Sequence, residues 1–564
     1  MNAFTIGTSA LAAGSRGLEL VGQNVANATT PGYHRQAVNL VSTTADGRTG
    51  TGVDVASITR YDSPPARTAI LGGNATQGAL SARLAVRQQV EASLGSGTGG
   101  VGGRLESFFN QVGQLTARPD DSAARRPVLA AAADIAASLN TSAADIDHLR
   151  ADVGGQVGQV VTEINTYAKQ IADLNTRIAG VESRGDQAND LRDRRDQLVD
   201  SLSQRMDVRV VNQPFGVVNV MGTSGPVVVG EFASQFRAAP DPAGNLVVTA
   251  AGSTRPVAVE SGTLGGLLQE HNQDIPAARA RLDGLTRGLV AAVNQVQATG
   301  LGSGGPLTAA TGTVGVADPT APLAAAGLPF PIRAGQLVVG VTDTATGTRT
   351  NSTVAIDPAT MSLQDVAGAI TAATGGKVQA TVDPVTNALR FAAQPGSKFD
   401  FAGRDTNPAA GAAAADPDTA RVLSALGVNG LFTGSTATDI AVRPDIAANP
   451  GLLAASRTGQ PGDGTNLERL AAVRDQALGG GRTLSGEFTD LAAAVGSDVQ
   501  TLGDRQTAQA GVMRTLAAQE QSVAGVDVNE ELVHLLNFQR MVEGAAKYLS
   551  VVNSALDSIM NIIR

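Results

Sequence analysis

Residues 528–563 read VNEELVHLLNFQRMVEGAAKYLSVVNSALDSIMNII. Two rows of apolar side chains run through this stretch. One is Val528, Leu535, Val542, Leu549, Leu556 and Ile563; the other, three positions on, is Phe538, Ala545, Val552 and Ile559. A repeat of seven with a second row offset by three marks a helix that packs along a seam on another helix. Asp527 and Glu530 supply a start resembling a capping box. At 1.5 Å per residue the helix should span roughly 54 Å.

The other end of the chain carries a matching signal. Phe4, Leu11, Leu18 and Val25 recur every seven residues, with Gly7, Gly14 and Val21 three positions later. Small residues let helix backbones approach closely, yet each Gly costs an isolated helix about 1 kcal/mol relative to Ala. Such a helix forms well only when packed. Neither terminal stripe can bury itself alone, so mutual pairing plus contact with further copies is expected. An ordinary intramolecular helix pair is the plainer alternative. Seams that run to the last residues, where single domains usually fray, favour assembly. The predicted assembly interface is Phe4, Leu11, Leu18, Val25, Leu535, Val542, Leu549, Leu556 and Ile563.

The first helix is stopped by Asn24-Val-Ala-Asn27-Ala-Thr-Thr30-Pro31-Gly32-Tyr33. Pro31 disfavours helical geometry at Thr30. Pro31-Gly32 suits the centre of a type II turn, with Gly at positive φ. Strands are expected at 36–41 and 52–58, joined through Asp46-Gly47. Asn24, Asn27, Thr30, Pro31, Gly32 and Tyr33 resemble the signature shared by flagellar rod, hook and hook-associated proteins. Gly52-Val53 and Arg60 continue the match, and the run from Val528 to Phe538-Gln539-Arg540 resembles the same family's terminal motif. From Leu105 to Leu202 come Leu105-Glu-Ser-Phe-Phe109, Arg118-Pro119-Asp-Asp, a long helix, and Asn189-Asp-Leu191 with Asp193, Arg195, Asp196 and Gln197-Leu198. That order resembles the hook-associated protein 1 branch and argues against a hook or distal-rod protein. Gly262-Thr-Leu264-Gly-Gly266 and the helix up to Asn294 extend it. The resemblance covers about 1–300 and 480–564. Departures are Pro64-Pro65 in place of an aromatic–leucine pair, Gln297 in place of His, and Val542 in place of Tyr.

The resemblance implies a secreted axial protein of the bacterial flagellum at the hook–filament junction. It further implies terminal helices lining a tube, type III export with an uncleaved N-terminus, and self-assembly into a ring or helical layer. Implied partners are the hook protein, the next hook-associated protein or filament, and a cytoplasmic export chaperone contacting the C-terminal region.

In the middle of the chain, Val153, Val157, Val160, Ile164, Tyr167, Ile171, Leu174, Ile178 and Val181 keep a 4-3 spacing, predicting a coiled-coil-like helix over 141–183. Helices over 275–296 and 484–516 should pack with it near +20°. Residues 207–260 alternate between Gly and Pro turns and read as strands. In the Gly-, Thr- and Ala-rich stretch 301–475, strands are expected at 338–341, 353–356 and 388–391, and a helix at 363–373. The fold class is therefore mainly α with an inserted β-rich domain. Its nested layout places paired terminal helices (1–65 with 523–564) at the centre. A helical bundle (66–206, 262–300 and 480–522) lies around them, and strand-rich parts (207–261 and 301–479) lie outermost.

Composition narrows the function classes. A 564-residue chain with 42% hydrophobic residues can bury several cores. Aromatic residues are only 3%, with no Trp, which disfavours a large catalytic pocket. The formal net charge of −9 argues against nucleic acid and against anionic lipid. No apolar run is long enough to span a bilayer. With no Cys there is no disulfide and no thiolate metal site. Met1 to Ala13 lacks the positive start of a cleavable signal, so export should use another route.

Gly95-Ser-Gly97-Thr-Gly-Gly100 fits a dinucleotide pattern, but the helix-like stretch 80–94 precedes it where a strand is required, so it reads as a loop. His34, His148, His271 and His534 are scattered and read as surface or partly packed. The acidic and basic run from Asp186 to Asp200 reads as a solvated helix face with i,i+4 pairs. Asp463-Gly-Thr-Asn466 reads as a turn, since the spaced Ca²⁺ ligands are missing. No catalytic, cofactor-binding or metal residues are predicted. A wall-cutting hydrolase would need two facing carboxylates, and none is evident. An adhesin role for the outer insert is the remaining alternative.

Overall fold

The computed structural model describes residues 2–45, 49–95, 99–406, 413–478 and 481–563. Along the chain come helix α1 (Asn2–Ala26), the hairpin β1 (Gln36–Ala45) and β2 (Thr49–Arg60), α2 (Pro64–Leu94), α3 (Val101–Thr116), α4 (Arg125–Glu182) and α5 (Asn189–Arg205). Strands β3 (Val208–Asn212), β4 (Val218–Gly222), β5 (Gly225–Val229), β6 (Phe232–Ala233), β7 (Phe236–Pro240) and β8 (Leu246–Ala250) follow. Then come α6 (Gly262–Gln269), a π-helical turn (Glu270–Asp274) and α7 (Ile275–Ala298). The next stretch holds β9 (Ala309–Gly315), β10 (Gly335–Asp343), β11 (Arg349–Ile356), α8 (Leu363–Ala373), β12 (Val378–Val382), β13 (Ala388–Ala393) and β14 (Ser397–Asp400). The last elements are α9 (Val422–Ala425), β15 (Phe432–Thr433), β16 (Ala441–Val442), α10 (Pro444–Ala448), α11 (Thr465–Ala472), α12 (Leu484–Ala524) and α13 (Val528–Ile563).

The chain divides into two compact units. The first comprises Met1–Val86, Asp152–Asn272 and Val499–Arg564. In it α1 packs on α13 and on the β1–β2 hairpin, whose antiparallel register sets Gln36 opposite Arg60 and Val38 opposite Ile58. Strands β3-β4-β5-β6 form one antiparallel sheet and β7-β8 a hairpin. Ile164, Ile171 and Ile178 of α4 and Val218, Val220 and Val228 of the sheet are fully buried or nearly so. Two asparagines in the α4 seam act as strand partners. Asn165 exchanges both hydrogen bonds with the Phe236 backbone, each 2.8 Å. Asn175 donates to Val218 O and Gly230 O and accepts from Val218 N.

The second unit comprises Arg87–Ala151 and Gln273–Asp498. Its helical part packs α3 on α11 and α7 on α9 and α11. Its strand part holds two three-stranded sheets, β11-β10-β14 and β12-β13-β9, with α8 against β11 and β12. Ser362 and Asp365 close a reciprocal capping box at the start of α8. Phe391, Phe399 and Phe401 form a largely edge-to-face cluster with ring centroids 5.0–5.8 Å apart, all fully buried or nearly so.

The mainly helical class with a strand-rich middle is what the sequence patterns imply, and α8 matches the expected helix at 363–373. Three boundaries differ. Helix α4 starts at Arg125, not near 141, because the apolar seam continues upstream through Val128, Ala132, Ile135 and Leu139, all fully buried. Helix α2 starts at Pro64; a proline in the first helical turn sacrifices no intrahelical bond, so Pro64-Pro65 opens the helix. Helix α12 continues past 516 to Ala524. Gln297, the departure near the end of α7, is fully buried and satisfied, donating to Leu452 O and accepting from Ala454 N. Asp463 accepts from Ser456, Thr458 and Thr465 hydroxyls, tying a turn that leads into α11. The expected turn at Asp46-Gly47 and residues 96–98 of the Gly-rich run lie outside the described residues.

Phe401→Ala should destabilise the strand-rich part by about 3–5 kcal/mol, as for other buried aromatic truncations. Urea unfolding followed by tyrosine-independent far-UV signal should show the corresponding transition moving to lower denaturant.

Candidate functional site

The terminal helices meet through glycine. Gly7, Gly14 and Gly17 of α1 are buried. A β-carbon added at Gly7 would come 2.5 Å from Leu549 Cδ2, and one at Gly14 would come 2.7 Å from Val542 Cγ2. One at Gly17 would collide with the Phe538 ring. Rising numbers on α1 meet falling numbers on α13, so the pair is antiparallel. The row facing α13 is therefore the glycine row, and it receives Leu549, Val542 and Phe538 as knobs. Among the predicted interface residues, Val542 and Leu549 are engaged here. Leu11, Leu18, Val25 and Leu535 are half-buried, while Phe4 and Leu556 are 47% and 49% exposed. Ile563 ends α13, and its side chain lies outside the described residues.

The motif after α1 forms a clamp on the start of α13. Asn24 is buried and makes four hydrogen bonds. Its amide donates to Gln36 O (2.8 Å) and Glu531 Oε2 (3.0 Å). Its Oδ1 accepts from the Tyr33 hydroxyl (2.8 Å) and Gln36 N (3.1 Å). Glu531, 2% exposed, also receives Arg35 Nε at 2.8 Å, and Arg35 reaches Glu530 and lies over the Tyr61 ring. Asn27 accepts from the Thr30 hydroxyl, closing the helix end. Gly32 takes φ +74°, as the turn requires, and Pro31 O accepts from Gln197 Nε2 at 2.8 Å. Burial, with Asp193, Asp190 and Glu531 nearby, pushes the Tyr33 hydroxyl up to about 12, so it remains a donor.

Helix α5 holds the other side of the clamp, and here the solvated-face reading is overturned. Asp193 and Arg195 are buried. Arg60 Nε donates to Asp193 Oδ1 and its Nη2 to Asp196 Oδ2, both 2.7 Å. Arg67 donates to Asp200 Oδ2 (2.8 Å) and to Asp196 O (2.7 Å). His34 Nδ1 lies 2.9 Å from Asp193 Oδ1, and Asn189 donates to Gln36 Oε1 at 2.9 Å. The carboxylates face inward because the hairpin and α2 present arginines that no local i,i+4 rule reveals. Burial would raise the Asp196 pKa, but Arg60, Arg195 and Arg67 outweigh it and hold the carboxyl below its ordinary range. Burial does raise Asp200 despite Arg67.

His34 and His271 are buried rather than superficial, His271 with Nδ1 2.9 Å from Asn272 Oδ1. Among the described residues no cluster of His, Asp and Glu converges on a metal geometry. A cavity of about 620 Å³ borders the clamp, walled by Arg67, Arg192, Arg195, Leu71, Val199 and Met221 among others. Sequence reasoning missed Gly17, Arg35, Gln36 and Glu531 as partners in the clamp. Gly17, three residues from Gly14, extends the small-residue row and was the available signal.

Asp196→Asn should destabilise the fold by about 3 kcal/mol, the low end for removing one partner of a buried pair, since three arginines lose a counter-charge that is itself only partly buried. A carboxyl whose native pKa is depressed contributes stability above its unfolded value and loses it as pH falls through the native one. Urea midpoints between pH 7 and pH 2 should therefore fall less in the variant than in the parent.

Residues 87–311 match the family model of the helical domain of flagellar hook-associated protein FlgK. Over 569 residues the chain is 26% identical to flagellar hook-associated protein 1 of Salmonella typhimurium, covering 98% of each. It is 25% identical to that of Escherichia coli over 98% of each chain, and 24% identical to that of Bacillus subtilis. In fold it is similar to the flagellar hook junction protein FlgK from Burkholderia pseudomallei, with a TM-score of 0.50 and 18% identity over 81% of this chain and all of that one.

Proposed function

We infer that this chain is a structural subunit of the bacterial flagellum that forms the junction between hook and filament. The observation that carries the reading is an end-to-end likeness to hook-associated protein 1 in a chain whose two ends pair by close helix contact. It is exported and acts outside the cell; among the described residues no helix is long and apolar enough to cross a membrane. It assembles with hook and filament components.

The finer reading is that residues 1–65 with 523–564 form the axial part. Copies join there through Phe4, Leu11, Leu18, Val25, Leu535, Val542, Leu549, Leu556 and Ile563. The half-buried and exposed state of many of these apolar side chains supports it. An export chaperone holding the C-terminal helix before assembly is consistent with that exposed surface. A purely structural role, with no catalysis, is supported by the use made of the charged groups: Asp193, Asp196 and Asp200 are each committed to a guanidinium.

Leu549→Asp places a carboxylate in the Gly7 slot. It should abolish incorporation while leaving the 87–151 and 273–498 unit folded. Immunogold labelling of isolated hook–filament structures should show a band only at the junction for the parent chain and none for the variant. Labelling along the hook, or normal motility with the variant, would contradict the reading.

A further inference from the structure

We propose that the second unit carries an oxyanion site, in which Arg421 and Arg469 take a phosphate or carboxylate group and Arg457 backs them with a buried positive charge. Arg404 in the same unit shows a buried arginine matched by acid: it donates to Asp400 from Nε (3.1 Å) and Nη2 (2.6 Å). The other three are not matched. Arg469 on α11 is half-buried, and its Nη1 donates only to neutral oxygens, Thr299 Oγ1 (3.2 Å) and Asn466 Oδ1 (3.1 Å). Its Nε and Nη2 have no partner among the described residues. Arg457, 9% exposed, gives Nη2 to the carbonyls of Ala402 and Ala414, and its buried Nε has no partner. Arg421 is partly exposed, and its Nη2 stays 3.7 Å from Asp416 Oδ2, beyond hydrogen-bond reach.

The acids nearby are already committed. Asp463 accepts the hydroxyls of Ser456, Thr458 and Thr465 and the Arg457 N–H. Asp418 is fully buried and accepts the N–H groups of Val422 and Leu423. Asp416 is left to face three guanidiniums, and one carboxylate against three leaves the cluster positive. Residues 407–412 lie outside the described residues and contain neither Asp nor Glu, so they bring no counter-charge. Burial, with Arg457 and Arg421 alongside, pulls the Arg469 guanidinium down to about 10 against the pull of Asp416. Burial also lowers Arg457 in spite of Asp416 and Asp463. Arg469 is still charged at neutral pH. Like charges crowded in partial burial are unfavourable until an opposite charge joins them. An oxyanion supplies that charge, and planar guanidinium forks match carboxylate and phosphate oxygens in pairs.

The test uses the full chain as purified monomer. Inorganic phosphate is titrated by calorimetry, with sodium chloride of equal ionic strength as the blank. One phosphate per chain is expected, with a midpoint of about 1 mM or tighter, the affinity that two or three charge-assisted hydrogen bonds provide. Arg469→Gln should weaken it about tenfold or more, the loss of one such bond, while the far-UV signal and the thermal midpoint in chloride stay unchanged. Phosphate should raise the thermal midpoint of the parent and not of the variant. Acetate that displaces phosphate names carboxylates as the source of the ligand, and acetate that does not names phosphate; either supports the site. Heats no larger than those of chloride mean a cluster satisfied by water alone and overturn the proposal. Undiminished phosphate binding in the folded variant also overturns it, because the anion then sits elsewhere. Should Arg469→Gln fail to fold, Arg421→Gln carries the same expectation, since the Arg421 side chain makes no hydrogen bond among the described residues.

Discussion

Everything in the terminal region depends on how closely α1 approaches α13. Glycine at 7, 14 and 17 removes the β-carbons that would hold the helices apart, and Leu549, Val542 and Phe538 fill the space. Close approach strengthens dispersion contacts but weakens the isolated helix, since glycine leaves more backbone freedom to lose on folding. Helix α13 gains little else from its own chain: only Glu531 and Ala545 are buried along it among the described side chains. A helix pair so sparsely covered sits at the low end of local stability. Its remaining apolar surface is what the proposed assembly would cover.

The clamp explains why the motif after α1 has its particular residues. Asn24 offers two donors and two acceptors, and the hairpin, the Tyr33 hydroxyl and Glu531 use all four. A buried amide so satisfied fixes geometry, whereas a partly satisfied one would cost stability. Aspartate would lose both donors, and leucine would strand Glu531. Arg35 completes the neutralisation of that buried carboxylate. Helix α5 then secures the turn from behind, through Gln197 on Pro31 and the Arg60–Asp193–Asp196 set. The end of α1 and the start of α13 are thereby held in one frame.

Much of this was legible in the sequence, because helix seams and turns are local patterns. The 4-3 spacing of α4, the heptads of α1 and α13, the Pro31-Gly32 turn and the capped helix α8 all follow from short-range rules. What escaped was long-range. The charges on α5 look like solvated i,i+4 pairs until Arg60 and Arg67 arrive from well over a hundred residues away. Asn165 and Asn175 look like polar breaks in a seam until strands β7 and β4 present their backbones. The upstream half of α4 hid behind alanines, whose weak hydrophobic signal blurs a period that Val128, Ile135 and Leu139 still keep. The heptad rows marked the two helices, α1 and α13, that pack on each other. The glycine offset row, not the leucine row of α1, turned out to face α13.

Hydrogen exchange on monomer and on isolated hook–filament structures tests the central claim most directly. The account predicts fast amide exchange over 2–26 and 528–561 in the monomer, and strong protection of the same amides once assembled. Equal, slow exchange in both states would contradict it, because the terminal helices would then be satisfied without neighbours.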